Sequence, residues 1–180
     1  EFRRVLFRPF SYRETDVGGQ NPTKHELNNF FPYFKKFLES YPKTFLIKHI
    51  KNLYLVHDLT LDGLGVGGLS NGEDIWIRTR IHTGKYVDFL SVALHHELSS
   101  SLFKKSLRIM YEWRQFSAGD YDESYEYNTR NILDFDFSRE SNRRLSLQGF
   151  INNYAKTNPE NDFNTFAENL FTNPDRKSTV

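Results

Sequence analysis

The run His95-His96-Glu97-Leu98-Ser99-Ser100 carries the sharpest chemical signal in the chain. A His-Glu-x-x-His run on a helix puts two histidines on one face, where both can hold one zinc ion. The glutamate beside the first histidine polarises a metal-bound water and then carries its proton. His96 and Glu97 fill the first two positions, and Ser100 stands where the second histidine would be. A neutral serine is a poor zinc ligand beside imidazole or carboxylate. His95 does not replace it, because neighbouring helical residues point about 100° apart. His57 or His82, brought in by the fold, are the other candidates. Taken without context, a His-Glu pair on a helix is more often structural, with partly buried histidines and a paired or solvated carboxylate.

Other signals are weaker. Gly63-Leu64-Gly65-Val66-Gly67-Gly68 formally matches a dinucleotide-binding fingerprint. That fingerprint needs a helix to begin at the glycines, and here a strand pattern follows, so a flexible turn or flap is the better reading. His57-Asp58 suggests a catalytic pair and Ser99–Ser101 a nucleophile, but none of these serines sits in a Gly-x-Ser-x-Gly elbow. Trp113–Phe137 mixes Tyr with Asp and Glu. It reads as a carbohydrate or peptide contact surface or, with more weight, as a loop pinned by aromatic side chains.

The elements that must position the His-Glu pair follow from periodicity. Leu27–Ser40 is expected to be an amphipathic helix, with Pro32 in its first turn and Pro42 beyond its end. Residues 10–23 read as a loop and Thr44–Ile50 as a short helix. Leu53–Val56 reads as a strand, with Leu59 and Leu61 alternating after it; Gly63–Gly72 reads as a glycine-rich loop. Asp74–Ile81 alternates apolar and polar positions, the mark of a half-exposed strand. Val87–Lys105 is apolar on two faces, so it is expected to pack between layers, with His96 and Ser100 facing protein or a cleft. Tyr111–Ser141 reads as a weakly ordered segment or surface loop, and Leu145–Tyr154 as a short helix. A last helix is expected to start at Asn158-Pro159-Glu160 and to bury Phe163, Phe166, Ala167, Leu170 and Phe171.

The order of alternating strand, His-Glu helix and distant second helix is the order that zincins use. The chain resembles the lethal-factor-like zinc metallopeptidases over most of Leu27–Phe171. The matching stretches are FLESYPKTFL (37–46), NLYLVHDLTLDG (52–63), DIWI (74–77), LHHEL (94–98), GFINNYAKTNPENDF (149–163) and FAENLF (166–171). The resemblance implies His96 as first metal ligand, Glu97 as general base and Tyr154 as a support for the developing oxyanion. It puts the third ligand at Asn161, by distance from Tyr154, or at Asn164, by the Phe-Ala-Glu match. Neither is an acid. The nearest acids are Asp162, which borders the apolar face on a helical wheel and is preferred, and Glu168, near the solvent side. Asp162 reads equally as a first-turn carboxylate favoured by the helix dipole.

The expected fold is therefore α+β: a zincin-like metallopeptidase domain with a small mixed sheet, an active-site helix and flanking helices. Residues 1–20 are set apart as a non-native or disordered leader, because EFRRVLFRP looks like a vector junction, has no signal-peptide h-region and leaves any export signal upstream. Residues 21–171 form the expected single domain, and 172–180 a polar tail that reads as a cut end. Besides a module that acts through its aromatic surface with the cleft irrelevant, two functions remain open. One is a zinc-dependent peptidase, with peptide lying extended along Asp74–Ile81. The other is a non-catalytic peptidase-fold protein that binds a peptide or protein in the old cleft. The net charge of +1 gives no electrostatic reason to expect nucleic acid or an anionic membrane. No apolar run approaches the roughly 20 residues needed to cross a bilayer. The absence of cysteine rules out disulfides, cysteine zinc sites and thiol nucleophiles, and leaves the compartment open.

Overall fold

The computed structural model describes residues 5–6, 17–80, 89–116, 121–122 and 144–172. The chain is mixed α+β with small sheets and forms two compact units, Glu1–Ser101 and Leu102–Val180. No helix among the described residues is long and apolar enough to cross a membrane.

The first unit begins with strands β1 (Val5–Leu6) and β2 (Val17–Gly19). The latter lies where the sequence suggests loop. Helix α1 (Lys24–Glu39) starts three residues before its expected first apolar position. Its start is fixed by a capping box: the Thr23 hydroxyl accepts from Glu26 N–H, and the Glu26 carboxylate accepts from Thr23 N–H. Pro32 therefore sits mid-helix rather than in the first turn. Helix α2 (Lys43–His49) follows as expected, then strands β3 (Asn52–Val56), β4 (Leu59–Leu61), β5 (Leu64–Val66), β6 (Gly68–Ser70) and β7 (Asp74–Arg78). Helix α3 (Phe89–Lys105) carries the His-Glu pair.

The expected glycine-rich loop is two strands instead. Asp62 and Gly63 both have positive φ, 51° and 75°, and join β4 to β5 with Leu61 opposite Leu64. An Asp-Gly pair between alternating apolar residues is a strong hairpin signal. The strands form a four-stranded sheet, β1-β3-β7-β6, and a three-stranded sheet, β2-β4-β5. In the larger sheet β3 and β7 run parallel, Leu53 beside Ile75 and Leu55 beside Ile77, while β6 runs antiparallel to β7 with Gly68 opposite Ile77. Tyr54 and Trp76 stack on the other face, where Trp76 and Val56 join Val17 and Leu59 of the smaller sheet in one core cluster. Strand β7 is thus buried at Ile75, Trp76 and Ile77. The expected half-exposure fails because both of its faces are covered and both of its edges are paired.

In the second unit, helix α4 (Leu107–Phe116) takes up the start of the expected loop at 111–141; residues 117–120 and 123–141 lie outside the described residues. The expected helix 145–154 shortens to one turn, α5 (144–147). It ends in a Schellman motif: Gly149 has φ 87°, Phe150 N–H donates to Leu145 O, and Gly149 N–H donates to Ser146 O. Phe150 and Leu145 pack together, as that motif favours. Helix α6 (Pro159–Thr172) starts where expected, with Asn158 Oδ1 accepting from Asn161 N–H at 2.9 Å. Its buried residues are not the expected aromatics but Asp162, Asn164 and Thr165, while Phe166 and Leu170 are exposed. Local bonds make this polar burial tolerable: Thr165 Oγ1 donates to Asn161 O and Asn161 Nδ2 to Thr157 Oγ1.

Thr23→Ala removes one half of the capping box and is expected to cost about 1 kcal/mol of stability, measured by urea unfolding.

Candidate functional site

Helix α3 brings three of its consecutive polar residues into different surroundings. His95 is buried against α1 and the residues that follow it: its Nδ1 lies 2.8 Å from the Tyr41 hydroxyl, and its ring meets Phe37 edge-on at 5.3 Å. Burial raises the pKa of the Tyr41 phenol, which keeps the hydroxyl protonated at this contact. His95 is therefore a packing residue. His96, the next position, is half-buried, and its carbonyl accepts from Ser99 Oγ at 2.7 Å.

Glu97 is buried under the sheet. A Cβ on Gly68 would lie 2.7 Å from Glu97 Cγ and 2.8 Å from its Cδ, so the carboxylate arm occupies the space a side chain would need. Directly opposed residues of an antiparallel pair point to one face, so Glu97 and Ile77 share the α3 face of the sheet. The neighbouring Gly67 is equally constrained, since a Cβ there would lie 2.6 Å from Phe89 Cζ. The two glycines are positions of close approach that lie in the stretch expected to be loop. Their signal was glycine inside a strand, which marks close approach of another group.

Strand β6 is the last strand of the sheet among the described residues. Arg78 N–H donates to Gly67 O and Asn71 N–H to Asp74 O, which sets the alternation of bonded and non-bonded pairs. By that alternation Leu69 turns its backbone polar groups toward Trp76, whereas Gly68 and Ser70 turn theirs away from β7. The strand expected to take a peptide along Asp74–Ile81 has no open edge, because β7 lies between β3 and β6; Ile81 lies outside the described residues.

Ser100, at the second ligand position, is buried, and the adjacent Ser101 hydroxyl donates to Gly72 O. His57 has its own partners: Nδ1 lies 2.6 Å from Glu26 Oε1 and Nε2 3.6 Å from Asp58 Oδ2. Burial pushes the Glu26 carboxyl up, but hydrogen bonds from Thr23 and His57 outweigh it and hold the group below the ordinary glutamate value. His82 lies outside the described residues.

In the second unit, Asp162 is buried and its Oδ2 accepts from Trp113 Nε1 at 3.0 Å and from Tyr121 hydroxyl at 3.1 Å. These bonds tie α4 and Tyr121 to α6. Burial raises its pKa from 3.8 to about 6, and the two hydrogen bonds only partly oppose the rise. Glu168 is half-buried rather than on the solvent side, and its carbonyl accepts from Thr172 Oγ1. Tyr154 is half-buried, with its carbonyl accepting from Thr157 N–H and Oγ1. Among the described residues, no group of three or more His, Asp or Glu side chains is arranged to hold a metal ion. The described donors thus do not fit a three-ligand zinc shell.

No family model, curated protein or solved structure matches the chain.

Gly68→Ala is expected to destabilise the protein by about 1–3 kcal/mol, because its methyl group collides with Glu97. The loss should shrink when Glu97→Ala is added, and a double-mutant cycle in urea checks it. The raised pKa of Asp162 means that the folded state binds its proton more tightly than the unfolded chain does. Its contribution favours folding below the ordinary value of 3.8 and is lost as the pH rises to about 6. Asp162→Asn is expected to flatten that part of the profile and to raise stability at neutral pH relative to wild type, measured by unfolding across this window.

Proposed function

We propose that this chain is a peptidase-like protein that binds an extended peptide without hydrolysing it. The observation that carries the reading is the contact of Glu97 with Gly68, which sets Glu97 of α3 directly beneath the last strand of the sheet among the described residues. An exposed edge recognises extended peptides by adding them as a further strand, with main-chain hydrogen bonds giving affinity. The backbone groups of Gly68, which turn away from β7, lie on that side. Support for a zincin-like plan comes from the resemblance of the quoted sequence stretches to lethal-factor-like metallopeptidases. Support for loss of chemistry comes from Ser100, whose neutral hydroxyl replaces an imidazole at a position where zinc needs one.

A second reading, zinc-dependent hydrolysis, is supported by one observation: Glu97, the general base that the resemblance implies, lies beneath the last strand of the sheet among the described residues. Zinc there would supply an activated water, and His96 would be the one ligand the motif retains.

Two measurements separate the readings. Purified protein, stripped, offered zinc and dialysed, is expected to retain much less than one equivalent by elemental analysis. Stoichiometric zinc that disappears in His96→Ala would overturn the binding-only reading. In that case Glu97→Gln should abolish peptide hydrolysis and leave the zinc in place. For peptide binding, the Gly68 and Ser70 amide resonances should shift when an extended peptide from a random pool is captured. Capture that leaves both amides unmoved would show that β6 is not the docking strand.

A further inference from the structure

The parallel strands β3 and β7 finish at the same end of the sheet, and their pairing runs on past both: Thr79 N–H donates to Val56 O at 2.7 Å and Arg80 N–H to His57 O at 3.2 Å. His57, Asp58, Arg78 and Arg80 are thereby gathered at the carboxyl ends of neighbouring strands, and α1 adds Glu26. Crevices at such strand ends are where open sheets with parallel strands bind ligands. Most of this cluster is paired internally. Glu26 Oε1 lies 2.6 Å from His57 Nδ1, and Asp58 Oδ2 lies 3.1 Å from Arg80 Nη1 and 3.6 Å from His57 Nε2.

Arg78 is the group left over. Its Nε is buried without a hydrogen-bond partner. Its two Nη atoms have no protein partner among the described residues either and, unlike Nε, are not sealed from solvent. Its direction is set by Phe89, whose ring centre lies 5.8 Å from the guanidinium carbon. Gly67 O accepts from Arg78 N–H, and the Phe89 ring fills the place that a Gly67 side chain would take. That contact orients the guanidinium but leaves its N–H donors unused. Burial lowers the pKa of Arg78, an effect that Asp58 opposes and Arg80 reinforces, so its charge feels the Asp58–Arg80 pair. Arginine stays protonated in proteins, and an unpaired cation taken out of water is costly. A half-buried cation is thus held in place without a counter-ion of its own.

We propose that Arg78 is an anion-binding residue, whose unused Nη donors at the carboxyl ends of β3 and β7 receive an oxyanion group of a ligand, a carboxylate or a phosphate. The proposal does not depend on peptide binding along β6. A planar guanidinium presents a fork of donors that matches both groups. Asp58 is the internal competitor of the ligand, and Arg80 is the residue that occupies it.

The test titrates inorganic phosphate and, separately, acetate into the full chain, with ionic strength held constant by sodium chloride. The Nε–Hε resonance of Arg78 is expected to shift saturably with at least one of them, at millimolar concentrations or below. Saturation by either supports the site, and the tighter of the two identifies the ligand's group. The same anion should raise the melting temperature of the wild type. Arg78→Gln should abolish that rise, and Arg78→Lys, which keeps the charge without the fork, should weaken binding about tenfold. Asp58→Asn, which removes the competitor, should strengthen binding about threefold, and Arg80→Gln, which releases Asp58, should weaken it by a similar factor. If the Gln variant at position 78 does not fold, the Lys variant and the wild-type resonance carry the comparison. No saturable shift with either anion, or a melting response unchanged by the substitutions at Arg78, would overturn the site.

Discussion

The contact on which the first unit depends is the seating of Glu97 against a glycine. A helix can approach the end of a sheet this closely only where the strand has no side chain, and Gly68 provides that gap. Gly67, just before β6, leaves room in the same way for the Phe89 ring at the start of α3. The result is a carboxylate that is buried yet adjacent to the last strand of the sheet. On the α1 side of the helix, His95 is clamped by Phe37 and Tyr41, which fixes the rotation of α3 and hence the direction of Glu97. One histidine of the pair is consumed in holding the helix so that its two successors can face elsewhere.

This division of labour bears on chemistry. A hydrolytic centre needs its metal ligands to converge, and the helix supplies one imidazole where two are required. Ser100 is buried and small and offers no imidazole on that face of the helix. Binding has weaker demands. It needs only a strand edge and a few oriented polar groups. The second unit shows a comparable use of a polar group for structure: Asp162, the acid nearest to the expected third-ligand positions Asn161 and Asn164, accepts two hydrogen bonds on one oxygen and joins α4, Tyr121 and α6.

Much of this was legible from residue order. The α3 helix, the β3 strand, α2, and the Asn158-Pro159 start of α6 lie where periodicity and capping chemistry put them. The misses have local causes. The start of α1 was misplaced because the apolar stripe begins later than the Thr23 and Glu26 capping box. Strands β5 and β6 were read as loop because glycine hides alternation, although Asp62-Gly63 announced a hairpin. The exposure of β7 depended on a second sheet that no local pattern reveals. For α6, the aromatic stripe suggested the buried face, but hydrogen bonds among Thr157, Asn161 and Thr165 allowed a polar face to be buried instead. The partnership of Glu97 with Gly68 joins positions far apart in sequence and could come only from the fold.

The Asp62-Gly63 hairpin has a consequence for how the chain reaches this state. Strands β3 and β7 are parallel neighbours, yet β4, β5 and β6 lie between them in the chain. Bringing Asn52 beside Asp74 means closing a long loop, and loop entropy opposes it. A tight turn with both residues already in the left-handed region folds β4 onto β5 first and shortens the span that remains free. The local antiparallel ribbon thus reduces the loop entropy that opposes the non-local parallel pair.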